Sequence, residues 1–295
     1  MLKPMPANIA PPIEETTMAI NWYPGHMNKA RKELSKIIPT IDLVIELLDS
    51  RAPNASKNPL LDEITASVPR INVLSKADLA DPAITKLWQT TIDESKNRRC
   101  LVSSTTSPLR AQEVIDCARK LISKETRRPN YNYQILITGI PNVGKSTLLN
   151  VLSERKLAKT GNEPAVTQRQ QRIKLAENWY LIDTPGMMWP KLEDQDGAYR
   201  LAMTGTIRNT AVEAEDIAWF AAEELLSGFR AKLSERYGIA EQITTAEQVL
   251  ESIAVTRGAI SKRGQIDWHK TAEILLNDFR SGKLGRISLE RPKTL

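Results

Sequence analysis

Cysteine is scarce in this sequence: Cys100 and Cys117 are the two, and no Cys-x-x-Cys pair occurs. That excludes a disulfide framework and a cysteine-based zinc site, and it suits a reducing cytoplasm. Histidine is equally rare, and His26 and His269 lie far apart in the chain. Long apolar runs are missing as well. The strongest, "IDLVIELL", is interrupted by charge and falls well short of the roughly 20 apolar residues of a membrane span. The first twenty residues, "MLKPMPANIAPPIEETTMAI", are rich in proline and lack a continuous apolar core. They read as a flexible tail, not a signal peptide. No repeat or low-complexity segment stands out.

What is present fits one large or two ordinary soluble domains: 295 residues, 41% hydrophobic and 26% charged. The net charge of +6, with a pI near 9.2, favours polyanionic partners. Short apolar runs at 41–49, 70–75, 100–104, 133–139 and 179–184 read as strands. The stretch 107–125 reads as a helix, with Val114, Cys117, Ala118, Leu121 and Ile122 spaced by three and four. Such alternation implies an α/β fold with a mainly parallel sheet. After about Pro190 the strand-like runs stop. The pattern then predicts one long helix over 212–238 and a second opened by a Thr244/Glu247 capping box. A last helix follows, with Trp268, Ala272, Leu275 and Phe279 on one face. Residues 191–255 carry 6 basic and 12 acidic side chains, whereas 257–295 carry 9 and 4. The basic excess thus gathers at the C-terminal end of an otherwise acidic helical region.

"GIPNVGKST", Gly139 to Thr147, matches the phosphate loop G-x-x-x-x-G-K-[ST] between a strand and a helix. Its glycines let the backbone N–H groups of Asn142, Val143, Gly144, Lys145, Ser146 and Thr147 turn toward phosphates, aided by the helix N-terminus. Lys145 can reach the β- and γ-phosphates, and Ser146 can hold magnesium. "DTPG" lies downstream, with Asp183 36 residues past Thr147. Asp183 would hold magnesium, and the Gly186 N–H would meet the γ-phosphate. Thr167, between them, is the candidate switch residue that closes over the metal. The residue after Gly186 is Met187, whose thioether cannot orient a water as a glutamine does there in many nucleotide switches.

Guanine is usually read by Asn-Lys-x-Asp. Here Ser75, Lys76, Ala77 and Asp78 stand at the end of a strand. Asp78 would accept from the N1 and N2 edge, which adenine lacks, and the Lys76 stem would cover the ring. About 25 residues on, "CLVSSTTS" ends another strand, and the backbones of Ser103 and Ser104 suit the guanine O6. Both base loops precede the phosphate loop, the reverse of the usual order. A sheet tolerates any chain order of its strands, so the pocket survives a circular permutation.

With these motifs the sequence resembles the circularly permuted GTPases, and within them the ribosome biogenesis GTPase A family. The carrying stretches are "NWYPGHMNKARKEL", "VIELLDSRAPNASKNPLL", "SKAD", "GIPNVGKST", "PAVTQRQQ" and "DTPG". The resemblance implies a flexible tail over 1–20, a permuted P-loop GTPase domain over 21–190, and a smaller all-helical, rRNA-binding domain over 191–295. It implies a cytoplasmic GTP hydrolase with magnesium that binds an immature large ribosomal subunit late in assembly and is stimulated by it. No membrane or DNA partner and a monomer off the ribosome are expected. The family's histidine in "PGHM", here His26, is the implied catalytic substitute for the glutamine; a structural or RNA-contacting histidine is the other reading. Asn142 also has two readings, a turn-favouring asparagine or, as in relatives, a ligand of a potassium ion. Ser75 stands where the family usually has asparagine, which removes one contact to the base. The chain lacks the cysteine/histidine zinc cluster typical of permuted relatives that act on the small subunit. Three basic clusters suit RNA phosphates: Lys29, Arg31, Lys32 and Lys36; Arg169, Arg172 and Lys174; Arg257, Lys262 and Arg263. Trp22 and Tyr23 are candidates for base stacking, with burial the alternative for Trp22. The main alternative function is a nucleotide-gated RNA- or ribosome-binding module with negligible hydrolysis.

Overall fold

The computed structural model describes residues 34–122, 130–153, 171–183, 194–206, 213–262 and 264–293. The apolar run near the start becomes β1 (Leu43–Asp49), buried along its whole length. A strand covered on both faces needs no polar alternation. Its one mid-strand charge, Glu46, is matched from the neighbouring strand β2 (Arg70–Ser75). Arg70 Nη1 donates to Glu46 Oε2 at 2.8 Å, and Asn72 Nδ2 donates to the same oxygen at 3.0 Å. A buried carboxylate is tolerated because it is paired and hydrogen-bonded.

Beside these lie β3 (Arg98–Val102), β4 (Tyr133–Gly139), β5 (Gln171–Ala176) and β6 (Trp179–Asp183). The six form one sheet in the order β3-β2-β1-β4-β6-β5. All neighbours are parallel except β5 and β6. β3 begins two residues before the run that predicts it. β5 is absent from the sequence expectation, which takes Arg172 and Lys174 only as a basic cluster. It is an edge strand, with Ile173 buried between exposed Arg172 and Lys174. Such alternation over so few residues leaves no apolar run to see. The Arg172 guanidinium sits 3.9 Å over the Tyr180 ring of β6.

Strands β1, β2 and β3 extend the sheet to one side, and β4 restarts it on the other side of β1. Ligands of open α/β sheets bind beyond the carboxyl ends of the strands at such a reversal. The register brings those ends together: Asp49 pairs with Ser75, Leu47 with Gly139, and Ile137 with Asp183.

Among the described residues, the helices of the sheet region include α1 (Pro53–Ser56), α2 (Pro59–Ile64), α3 (Pro82–Asp93), α4 (Ala111–Leu121) and α5 (Lys145–Leu152). The helical region holds α6 (Gln195–Met203), α7 (Ala214–Gly228), α8 (Arg230–Tyr237), α9 (Ala246–Arg257) and α10 (Trp268–Arg280). One hydrophobic cluster runs from Ile135 and Ile137 of the sheet to Leu201, Leu225, Ile253 and Phe279 of these helices. Both cysteines are buried there and in a neighbouring cluster, and burial pushes the thiols up to about 12 for Cys100 and about 11 for Cys117. Such thiols are inert. Among the described residues, no helix is long and apolar enough to cross a membrane.

Three local expectations shift. The helix predicted over 212–238 is two, broken at Phe229 (φ −141°, ψ 30°) just after Gly228. Glycine weakens a helix interior, and here it lets the chain turn. The capping box sits one residue later, on Thr245 and Gln248. Thr245 Oγ1 accepts from Gln248 N–H, while Gln248 Oε1 accepts from the N–H groups of both Thr244 and Thr245. This register buries Ala246, Val249, Leu250 and Ile253 together. Ala272, Leu275 and Phe279 share the buried face of α10, but Trp268 is 38% exposed at its start. Thr245→Ala should therefore cost about 1 kcal/mol in chemical denaturation, and Thr244→Ala clearly less. Equal losses would refute the shifted cap.

Candidate functional site

The phosphate loop joins β4 to α5. Gly139 ends the strand where β1 crowds it: a Cβ there would lie 2.9 Å from Val143 Cγ1 and 3.2 Å from Leu47. Gly144 precedes the helix with φ 104°, which L side chains rarely adopt. Lys145, Ser146 and Thr147 open α5, so their N–H groups have no helical acceptor and face outward at its positive end. Lys145 is buried, Ser146 half-buried and Thr147 exposed. Lys145 Nζ donates to Asp183 Oδ1 at 2.5 Å, and both side chains are almost wholly buried. The strand ends of β4 and β6 therefore deliver the loop lysine and the distant carboxylate to one place.

The upstream base loops arrive at the same edge. Ser75 Oγ lies 2.6 Å from Val143 O and 3.0 Å from Leu48 O. A hydroxyl has one hydrogen, and the shorter contact ties the base loop to the phosphate-loop backbone. Lys76 takes the left-handed conformation (φ 54°, ψ 35°), and Asp78 follows in the 3₁₀ turn Ala77–Leu79. Asp78 Oδ2 accepts from Thr105 Oγ1 at 2.9 Å, while its Oδ1 is buried without a protein partner. A carboxylate oxygen in that position is an acceptor waiting for a donor. The second base loop is stitched to the first, since Ala77 N–H donates to Ser103 O at 3.2 Å. The Ser103 and Ser104 N–H groups donate to Leu74 O and Ser107 O. An oxygen read by either amide would share or displace one of those bonds.

Asp49, at the end of β1, anchors this edge. Arg51 Nε and Nη2 hold it at 2.9 and 2.8 Å, and Lys76 Nζ at 3.0 Å. Burial alone would raise this carboxyl; the Arg51 and Lys76 charges outweigh it and hold Asp49 well below the usual carboxylate range. Burial lowers the Lys76 ammonium, with Asp49 pulling it back up and Arg51 pushing it further down.

Sequence reasoning gives Arg51 no role, and it misses a cluster around the end of α6. The last carbonyls of a helix lack intrahelical donors. Here side chains supply them. Arg280 donates to Ala202 O and Met203 O, Arg51 Nη2 to Thr204 O at 3.3 Å, and Asn142 Nδ2 to Gly205 O at 2.9 Å. Asn142 itself takes a left-handed backbone, with φ 56°. These partners are separated by tens of residues or more, so no local pattern betrays them. His26, Thr167, Gly186 and Met187 lie outside the described residues, as do Trp22, Tyr23, Lys29, Arg31, Lys32, Arg169 and Arg263.

A lysine-bearing loop after β4, a carboxylate after β6 and the Asp78 turn after β2 are the arrangement of a P-loop GTPase whose motifs run in permuted order. Comparison with known proteins agrees. A family model described as a 50S ribosome-binding GTPase matches residues 134–256. Ribosome biogenesis GTPase A of Priestia megaterium is 39% identical, covering 93% of this chain and 98% of its own. Its namesake in Bacillus cereus is 39% identical over 94% and 95%. Mouse mitochondrial ribosome-associated GTPase 1 is 30% identical over 92% and 90%. The crystal structure of GNP-bound YlqF from T. maritima has the same fold, with a TM-score of 0.64, 24% identity, and coverage of 90% of this chain and all of that one. The chain belongs to the ribosome biogenesis GTPase A family.

Asp49→Asn leaves Arg51 and Lys76 without their carboxylate. It should cost about 3–5 kcal/mol at neutral pH, read by chemical denaturation. The folded pKa lies below the unfolded value, so the Asp49 contribution is complete above about pH 4–5 and fades as the pH falls further. The gap between the two proteins should narrow steadily in that acid range. A gap independent of pH would refute the ion-pair account.

Proposed function

We propose that this GTPase binds an immature large ribosomal subunit late in its assembly, in the cytoplasm, and that docking stimulates hydrolysis. The observation that carries the nucleotide part is the 2.6 Å bond from Ser75 Oγ to Val143 O, which seats the base loop on the phosphate loop. The names of the relatives, a 50S ribosome-binding GTPase and ribosome biogenesis GTPases, support the partner.

GTP or GDP lies along the strand ends. Asp78 reads the guanine edge through its unpartnered Oδ1, Lys76 covers the ring, and the Ser103–Ser104 loop faces O6. The N–H groups from Asn142 to Thr147 cradle the phosphates with the Lys145 ammonium. The family implies magnesium, and the donors fit: the Ser146 hydroxyl and the buried Asp183 carboxylate are the hard oxygens that this ion prefers. When bound, magnesium neutralises charge developing on the β- and γ-phosphates. Thr167 and Gly186 complete the phosphate side in the triphosphate state. Asn142 is the candidate potassium ligand.

Met187 cannot place the attacking water, so His26 takes that role. Imidazole near neutrality donates to or accepts from water, and phosphoryl transfer requires orientation more than a strong base. His26 lies among Lys29, Arg31 and Lys32, so contact with rRNA phosphates would bring it in. Arg257, Lys262, Trp268 and Lys270 are all exposed between the end of α9 and the start of α10, and this stretch is the helical region's candidate rRNA face.

The protein should co-sediment with large-subunit precursors in a GTP analogue more than in GDP. Retention in neither state would end the assembly reading. In single-turnover assays, large subunits should accelerate GTP cleavage, and His26→Ala should lower the stimulated rate about a hundredfold or more. An unchanged stimulated rate would remove His26 from catalysis, and no stimulated cleavage at all would leave a nucleotide-gated binding module.

A further inference from the structure

The last described residues do not trail away from α10. They return across the ends of β1 and β2, and four consecutive residues are anchored there. Ile287 N–H donates to Leu79 O at 3.0 Å. Ser288 Oγ accepts from Asp81 N–H at 3.1 Å. Leu289 N–H donates to Arg51 O at 2.7 Å. The Glu290 carboxylate accepts from the N–H groups of Asn54 and Ala55 at 2.6 and 3.1 Å, and its main-chain carbonyl accepts from Trp88 Nε1 at 3.2 Å. Ile287, Ser288 and Glu290 are buried.

Leu79 directly follows Asp78 and belongs to the same three-residue turn. A 3₁₀ turn of that length has poor hydrogen-bond geometry and little rigidity of its own. Base reading requires the carboxylate to be held within about 0.5 Å of its working position, which falls to supporting residues. Thr105 holds the Asp78 side chain, and Ile287 holds the backbone one residue on. The approach is close: a Cβ on Gly282 (φ 76°) would lie 2.7 Å from Leu79 Cδ2.

We propose that Ile287–Glu290 is a positioning segment for the guanine-reading turn, so that the chain's C-terminal end sets base discrimination at the nucleotide site. The inference rests on the reading of Asp78 as the base reader. The coupling is reciprocal: a bound guanine stabilises the docked segment, and a partner that lifts the segment loosens the base.

Calorimetric titration with GDP and with inosine diphosphate tests this. Inosine lacks the N2 amino group and so makes only one of the two Asp78 contacts. Ile287→Pro deletes the N–H donor, and Ser288→Ala deletes the acceptor for Asp81. Each should weaken GDP binding about fivefold, the size of one lost hydrogen bond, and inosine diphosphate less, so that the ratio of the two affinities falls. Ile287→Val and Ser288→Thr keep the donor and the acceptor and should keep the ratio. A purely structural role would lower the melting temperature and leave the ratio unchanged, which would overturn the proposal. Should Ile287→Pro fail to fold, Ser288→Ala against Ser288→Thr decides alone. Asp78→Asn, run in parallel, should lose GDP and gain xanthosine diphosphate. GDP binding unaffected by that change would remove the base reading itself. A nucleotide switch in Asp78→Asn with unchanged ratios in the segment variants would remove only the positioning role.

Discussion

Asp49 is the carboxylate on which the rest of the site depends. It is fully buried at the end of β1 and held by two cations. Each cation leads elsewhere. Lys76 belongs to the base loop. Arg51 reaches the carbonyl of Thr204 and lies 5.1 Å from the Phe279 ring centroid, while its own carbonyl takes the N–H of Leu289. One carboxylate and its two cations thus link the base loop, the end of α6, the helix α10 and the C-terminal segment to a single strand end. Burial makes such an arrangement unforgiving, because removing one member strands charge in a medium that cannot solvate it.

The nucleotide edge is assembled from pieces far apart in the chain, and strand register does the assembling. Parallel strands end at a common level, so whatever loop follows each strand arrives at the same rim. Placing the base loops before the phosphate loop in the chain changes no neighbour in the sheet. The Ser75 hydroxyl makes the connection direct. The short serine side chain is spent on the phosphate-loop carbonyl of Val143.

Asn142 connects the phosphate loop to the helical region. Its side chain is one of three that cap four successive carbonyls, from Ala202 to Gly205, at the negative end of α6. The other two are arginines, which suit that end of a helix dipole. Any rearrangement of Asn142 about the phosphates must therefore exchange its bond to Gly205. The helical region is bound to the phosphate loop by hydrogen bonds as well as by the continuous core.

Much of this was legible in the chain. Five of the six strands announce themselves as apolar runs; β1 and β2, inside the sheet, are buried along their whole length, and the edge strand β3 is readable although only Cys100 in it is buried. The phosphate-loop motif, Asp78 and Asp183 stand out in the chain because the family's motifs place particular residue types at particular spacings. The edge strand β5 was not legible, since exposed Arg172 and Lys174 flank buried Ile173. The helix break at Phe229, just after Gly228, and the one-residue shift of the cap, which buries Ala246, Val249, Leu250 and Ile253 together, were choices between locally acceptable patterns.

The sequence by itself determined the nucleotide chemistry, the class of fold and the inverted motif order, because all three reside in short local patterns. Only the tertiary structure decided what supports them: Thr105 behind Asp78, Arg51 between strand and helix, Asn142 on Gly205, and the C-terminal return onto Leu79. Asp78 and Thr105 stand 27 positions apart, and Leu79 and Ile287 stand 208 apart. Hydrogen bonds over such separations leave no periodicity or motif, and they exist only once the core has brought their partners together.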